Sequence, residues 1–108
     1  MAFTHIVMFK WTRTEAGSDG GSEGRADVDE AALADALRSL VARFDGVQSY
    51  LCGADAGVSP NTYDFAIVGT FDDRESFLAY RDHPEHQKIV QDLILPRAES
   101  RVAVQLEQ

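Results

Sequence analysis

One short stretch of the chain, residues 80–86 (Tyr-Arg-Asp-His-Pro-Glu-His), concentrates side chains that can transfer protons. It holds two of the three histidines of the sequence. Ile89, Val90 and Leu93 follow His86 at offsets of one helix face, which predicts that the imidazole of His86 points to an apolar interior. An imidazole held there can accept a substrate proton near neutral pH and return it.

Tyr80 lies just before the proline break and is the natural partner of His86. Its phenol can donate a hydrogen bond to a carbonyl oxygen that gains negative charge during a reaction. The competing interpretation is structural. His5, on an apolar strand face, would be a core histidine, and His83, just before Pro84, would cap the next helix.

The sequence predicts neither a metal nor a cofactor. His83 and His86 could offer two imidazoles to a metal ion, but no recognisable set of acidic or cysteine ligands completes the site. The chain has no phosphate-binding loop, no dinucleotide fingerprint and no nucleophile elbow. Its single cysteine, Cys52, has no histidine beside it and is interpreted as a small buried hydrophobe.

The elements that must position these residues follow from periodicity and from capping signals. The first helix begins at Asp27 or Asp29, and the second at Asp72 or Asp73. The order β-α-β-β-α-β predicts an α+β fold of ferredoxin-like type, with a four-stranded antiparallel sheet and helices on one face. The predicted strands are 3–11, 47–54, 63–71 and 99–106, and the predicted helices end near residues 44, 82 and 95.

Large apolar side chains occur on both faces of the first strand, where Val7 and Phe9 alternate with Ile6 and Met8. Helices can cover only one face, so the pattern predicts a homodimer, an internal pocket or both. Residues 14–26, with four glycines, are predicted to form a flexible surface loop.

Length and charge limit the class of protein. A chain of 108 residues fits one domain spanning 1–108, and its net charge of −8 argues against nucleic acid and anionic membranes as partners. No apolar run is long enough to span a bilayer, and no secretory signal is visible. The expectation is a cytoplasmic protein.

The segments His5-Ile-Val-Met-Phe-Lys, Gly69-Thr-Phe and Arg101-Val-Ala-Val-Gln-Leu, together with the Tyr-x-x-His-Pro-x-His pattern of 80–86, resemble the Dabb family. This family, the stress-responsive A/B barrel domain, implies a dimeric α+β barrel. One plant member closes a linear polyketide by aldol condensation. The resemblance implies that Tyr80 and His86 of this chain match the catalytic pair of that member and that His5 lines the pocket. The resemblance aligns a histidine of that cyclase with Phe65 or, as the alternative, with Asp64.

The leading hypothesis is a cofactor-independent enzyme of cyclase or lyase type, acting on a small, apolar, carbonyl-bearing ligand between sheet and helices. His86 would be the acid and base and Tyr80 would hold the oxyanion. The substrate contacts assigned with them are His5, His83, Val7 and Phe65. The alternative is a non-catalytic dimer that is stress-related or binds a small ligand.

Overall fold

A computed structural model describes residues 1–12 and 28–108, and it shows one antiparallel sheet with helices against one face. The strand order is β2-β3-β1-β4. The observed element order confirms the predicted ferredoxin-like fold. The predicted loop at 14–26 lies outside the described residues. The strands are β1 (Phe3–Trp11), β2 (Val47–Ala54), β3 (Phe65–Phe71) and β4 (Ala98–Glu107), and the helices are α1 (Glu30–Val41), α2 (Arg74–Asp82) and α3 (Pro84–Ile89), with a π-helical turn at Val90–Ile94.

Aspartates start the first two helices. The carboxylate of Asp29 accepts the backbone N–H of Ala32 at 2.9 Å, and that of Asp73 accepts the N–H of Ser76 at 2.8 Å. Each satisfies a donor that the first helical turn leaves unpaired. Of the two starts predicted for each helix, the structure therefore uses the second. Helix α1 ends at Val41, three residues before the predicted end, because the chain turns there toward β2.

The core lies between the sheet and the helices. Phe3, Val7, Phe9 and Trp11 of β1 are all buried, as the period-2 alternation of the strand predicts. Trp11 is fully buried and donates its backbone N–H to the buried carboxylate of Asp64 at 2.7 Å. This contact fixes the end of β1 against the start of β3.

The segment after α3 departs from the predicted regular helix. Its π turn is closed by a hydrogen bond of 2.8 Å, in which the backbone N–H of Leu95 donates to the carbonyl oxygen of Val90. A π turn contains one residue more than an α-helical turn. The extra residue rotates the last side chains of the turn about the helix axis, so Ile94 is buried and Leu93 is 36% exposed. The prediction that Leu93 shares the buried face of His86 is therefore wrong, and Ile94 occupies that face.

Within residues 1–12 and 28–108, no helix packs on the other face of the sheet. Its central cross-strand row joins aliphatic residues of all four strands: Leu51, Val68, Ile6 and Val104. Leu51 is 71% exposed and Val104 is 51% exposed. A monomer of this chain therefore presents a continuous apolar row to water, and such patches usually mark an interaction surface.

Candidate functional site

A cavity of about 180 Å³ lies between the sheet and the segment that contains α2, α3 and the π turn. An apolar cavity of about 150 Å³ can hold benzene, so this one can hold a ring-sized ligand. Its apolar lining is Val7, Phe9, Ile67, Phe77, Val90, Ile94 and Ala103, and its polar lining is His5, Tyr80, Arg81, His86, Arg101 and Gln105.

His86 and Tyr80 meet in this cavity because Pro84 starts a new helix. The proline cannot continue α2, and its fixed φ suits the first position of α3. The change of direction brings the rings of Tyr80 and His86 to a centroid distance of 4.3 Å. The C-terminal end of α2 and the first turn of α3 thus place both side chains at one point.

The hydrogen bonds of His86 define what it can do. Its Nδ1 lies 3.0 Å from the carbonyl oxygen of Arg81. A carbonyl oxygen only accepts, so Nδ1 carries the proton of the neutral ring and Nε2 keeps a free lone pair. No residue in the described part of the chain donates a hydrogen bond to Nε2.

Burial sets the protonation states of this pair. Burial lowers the pKa of His86 below its ordinary value, an effect that the hydrogen bond to the Arg81 carbonyl partly offsets. Burial raises the pKa of Tyr80 to about 12. At neutral pH the imidazole is therefore a proton acceptor and the phenol is a donor.

Tyr80 has a second partner, Tyr50 on β2. The two hydroxyl oxygens are 2.7 Å apart. Tyr50 reaches this position because its cross-strand neighbour is Gly69. A Cβ at Gly69 would lie 3.2 Å from the Tyr50 ring and 3.0 Å from the Phe71 ring. The absence of a side chain at Gly69 thus makes room for the tyrosine pair.

His5 projects from β1 on the same side. Its Nδ1 lies 3.1 Å from the amide nitrogen of Gln105, and its ring packs on Phe77 at a centroid distance of 4.8 Å. Since the amide nitrogen donates, Nδ1 accepts and Nε2 carries the proton. Burial, with smaller effects of the charges of His86 and Arg101, lowers the pKa of His5 from 6.5 to about 4. His5 is therefore a neutral hydrogen-bond donor.

The cavity brings together four of the residues singled out from the sequence, namely Tyr80, His86, His5 and Val7. The other two lie elsewhere. The Nδ1 of His83 accepts the backbone N–H of Glu85 at 3.1 Å, so this histidine caps α3. Phe65 is buried in the core, and neither side chain lines the cavity.

Four polar residues of the site were not identified from the sequence. Arg101 and Gln105 lie on β4 at positions that alternate with the apolar residues of the strand. That alternation was a usable signal, since it assigns both to the face opposite Val102 and Val104. Tyr50 carried no comparable signal, because its position depends on how β2 pairs with β3. Arg81 lies in the polar stretch 80–86 but was not assigned to the site.

Two further features bear on cofactors and location. Among residues 1–12 and 28–108, no group of three or more histidine, cysteine, aspartate or glutamate side chains could hold a metal ion. Within the same ranges, no helix has the length and apolar character needed to cross a bilayer.

Comparison with solved structures supports the fold. A dimeric ferredoxin-like protein of unknown function from Thermobifida fusca is 33% identical, and the alignment covers 100% of this chain and 92% of that one with a TM-score of 0.75. None of the curated proteins compared with the chain matches it significantly.

Two structures with enzyme names share the fold at low identity. The cofactor-independent oxygenase SnoaB from Streptomyces nogalater is 8% identical, with 99% and 92% coverage of the two chains and a TM-score of 0.67. The hydroxynitrile lyase from Passiflora edulis is 15% identical, with 97% and 91% coverage and a TM-score of 0.60. These likenesses show the fold alone.

The stress-responsive A/B barrel domain matches the sequence over residues 3–108, which is nearly its whole length. Together with the relative from Thermobifida fusca, this match confirms the resemblance first noted in the motifs of the sequence. The chain belongs to the Dabb family, the stress-responsive A/B barrel domain.

Proposed function

We propose that the protein is a small enzyme that acts without a cofactor on a carbonyl-bearing, largely apolar compound bound in the cavity. One observation carries this proposal. The cavity presents an unpartnered imidazole nitrogen of His86 next to the protonated phenol of Tyr80. A base and a hydrogen-bond donor at one point are what removal of a proton beside a carbonyl group requires.

In the proposed first step, Nε2 of His86 takes a proton from the carbon next to the substrate carbonyl. The electron pair of that C–H bond moves into the carbonyl, whose oxygen becomes an enolate oxygen. Tyr80 donates its O–H to this oxygen, and Tyr50 donates to Tyr80. His5 supplies a second neutral donor from β1. Each of these groups is in the required protonation state near neutral pH.

The enolate carbon can then attack a second carbonyl of the same molecule, which closes a ring as in a polyketide cyclase. The reverse direction breaks a carbon–carbon bond, as a lyase does. In both cases the imidazolium of His86 returns its proton to the product. The apolar walls favour this chemistry because they exclude water from the enolate. The enzyme names of two proteins with this fold are compatible with the proposal.

Deuterium exchange tests the proposal without knowledge of the natural substrate. The probe is phenylacetone in D2O, and ¹H NMR follows loss of the signals beside the carbonyl. We expect exchange to be catalysed by the full chain and to fall by about 10²–10⁴-fold in His86→Gln. Lys88→Gln, an exposed change on the same helix, should leave the rate unchanged.

If exchange is the same with and without the protein, or unaffected by His86→Gln, the catalytic proposal fails. A non-catalytic ligand-binding protein would then be the better account. Circular dichroism of His86→Gln separates a lost catalytic group from a lost fold.

The same proposal includes a homodimer whose apolar sheet faces pack together as a barrel. The relative from Thermobifida fusca is described as dimeric, and the exposed row through Val104 supplies the surface. A lysine at Val104 would have to enter that interface, so Val104→Lys should sediment as a monomer. The matched control is Gln48→Lys, since Gln48 is an exposed polar residue. A wild-type chain that sediments as a monomer at about micromolar concentration would refute the dimer.

A further inference from the structure

The cavity carries positive charge as well as neutral donors. Arg81 and Arg101 both line it, although acidic residues outnumber basic ones in the chain by 18 to 10. The guanidinium of Arg81 binds the carboxylate of Asp82, with Nε 2.8 Å from Oδ1. Arg101 differs, because none of the ion pairs of residues 1–12 and 28–108 involves it.

Arg101 is placed by the register of β4. It is the cross-strand partner of Phe9, and Ala103 and Gln105 follow it on the same face, opposite Val7 and His5. Arg101 therefore stands at one end of a strip of cavity wall, and His5 with its bound Gln105 stands at the other. The body of a ligand on this strip would contact Val7 and Ala103, with one end beside the guanidinium.

The charge of Arg101 acts inside the cavity. Burial is the main cause of the lowered pKa of His5, but the charge of Arg101, and that of His86 when it is protonated, lower it further. Because both histidines are neutral at pH 7, they contribute no charge of their own. The guanidinium of Arg101 is therefore the anion-binding group of the strip, whose other members, at pH 7, are neutral: His5, Val7, Phe9, Ala103 and Gln105. Arginine pairs bidentately with a carboxylate.

We propose that the substrate carries a carboxylate, and that Arg101 binds this group at the β4 side of the cavity while the apolar body lies against Val7 and Phe9. The assignment deepens the proposed function, since it gives the carbonyl compound an anionic end. β4 is exposed, so the bound carboxylate keeps contact with water and avoids the cost of full burial. The carbonyl is then left to Tyr80 and His86 on the opposite wall.

Two probes of the same shape isolate the carboxylate. 3-Phenylpropanoate and 3-phenylpropanamide differ only in the charged group, and titration calorimetry measures both against the full chain. We expect the carboxylate to bind about 10- to 100-fold more tightly, as hydrogen bonds to charged partners do. Arg101→Gln should abolish that preference, and Arg101→Lys should restore part of it. Lys88→Gln removes an equal charge outside the cavity and should preserve it.

Equal affinity for the two probes would overturn the proposal, and so would a failure of 3-phenylpropanoate to bind. A preference for the carboxylate probe that survives Arg101→Gln would also overturn it. These results stand apart from the proposed reaction. Phenylacetone is uncharged, so its deuterium exchange depends on His86 and not on Arg101. Exchange without carboxylate preference refutes only the substrate class, and preference without exchange refutes only the reaction.

Discussion

His5 should make the stability of the fold sensitive to acid. Its pKa falls from 6.5 to about 4 in the folded protein, chiefly through burial, so folding favours the neutral ring. The stabilisation is fully present above pH 6.5, the value for the unfolded chain, and it is lost as the pH falls through about 4. Below that value the ring is protonated in both states.

The size of the effect follows from the shift. A change from 6.5 to about 4 corresponds to about 3 kcal/mol for a fully buried group. His5 is only partly buried, and solvent screens its charge, so we expect about 1–2 kcal/mol. That is a measurable share of the free energy of unfolding of a domain of this size.

Urea unfolding at about pH 7.5 and about pH 4.5 tests this expectation, because the two values lie on either side of an ordinary histidine pKa. Trp11, the single tryptophan, is fully buried and supplies the fluorescence signal. Between the two pH values, the free energy of unfolding of the wild type should fall by about 1–2 kcal/mol more than that of His5→Gln. Comparison with the variant cancels the contribution of every other titrating group. Gln105→Glu should shrink the loss, because a carboxylate beside Nδ1 stabilises the imidazolium. An equal loss in wild type and His5→Gln would refute the reasoning.

The remaining predictions concern the tyrosine pair and the base. The rate of deuterium exchange should decline only at a pH below the ordinary histidine pKa, because burial lowers the pKa of His86. The rate should stay level up to about pH 9, because the pKa of Tyr80 is raised to about 12 and its phenol stays protonated. Tyr50→Phe should slow deuterium exchange by about tenfold in the wild type, but should hardly change the rate when Tyr80→Phe is already present, because the two hydroxyls act through one hydrogen bond. Rate losses that multiply in the double variant would contradict this role of the hydrogen bond. Gly69→Ala should lower the free energy of unfolding by about 1–3 kcal/mol, because its Cβ would press on the rings of Tyr50 and Phe71; unchanged urea unfolding would show that the rings can move.

The fold was predictable because local signals agree with one another along the chain. The alternation Phe3, Val7, Phe9 and Trp11 identifies the buried face of β1, and Asp73 marks the start of α2. Such patterns depend only on neighbouring residues. The π turn was not predictable in this way, since nothing in the spacing of apolar residues distinguishes one extra residue from a regular helix.

The candidate site divides along the same line. Tyr80 and His86 could be paired from the sequence because they lie only six positions apart and Pro84, between them, turns the chain. His83 lies between them, and its capping role was one of the two interpretations that the sequence left open. Tyr50 and Tyr80 are 30 residues apart in the chain, and their contact depends on the pairing of β2 with β3, so no local pattern predicts it.

The lining of the cavity explains how one small domain can keep a base and two donors ready at the same pH. Burial disfavours every charged form, so it lowers the pKa of His5 and His86 and raises that of Tyr80. All three shifts act in the direction that the proposed chemistry needs, and none requires a neighbouring carboxylate. Arg101 differs in its surroundings, because it lies on the exposed strand β4, in contact with water. The site therefore separates into a neutral interior suited to proton transfer and a charged margin suited to holding an anion.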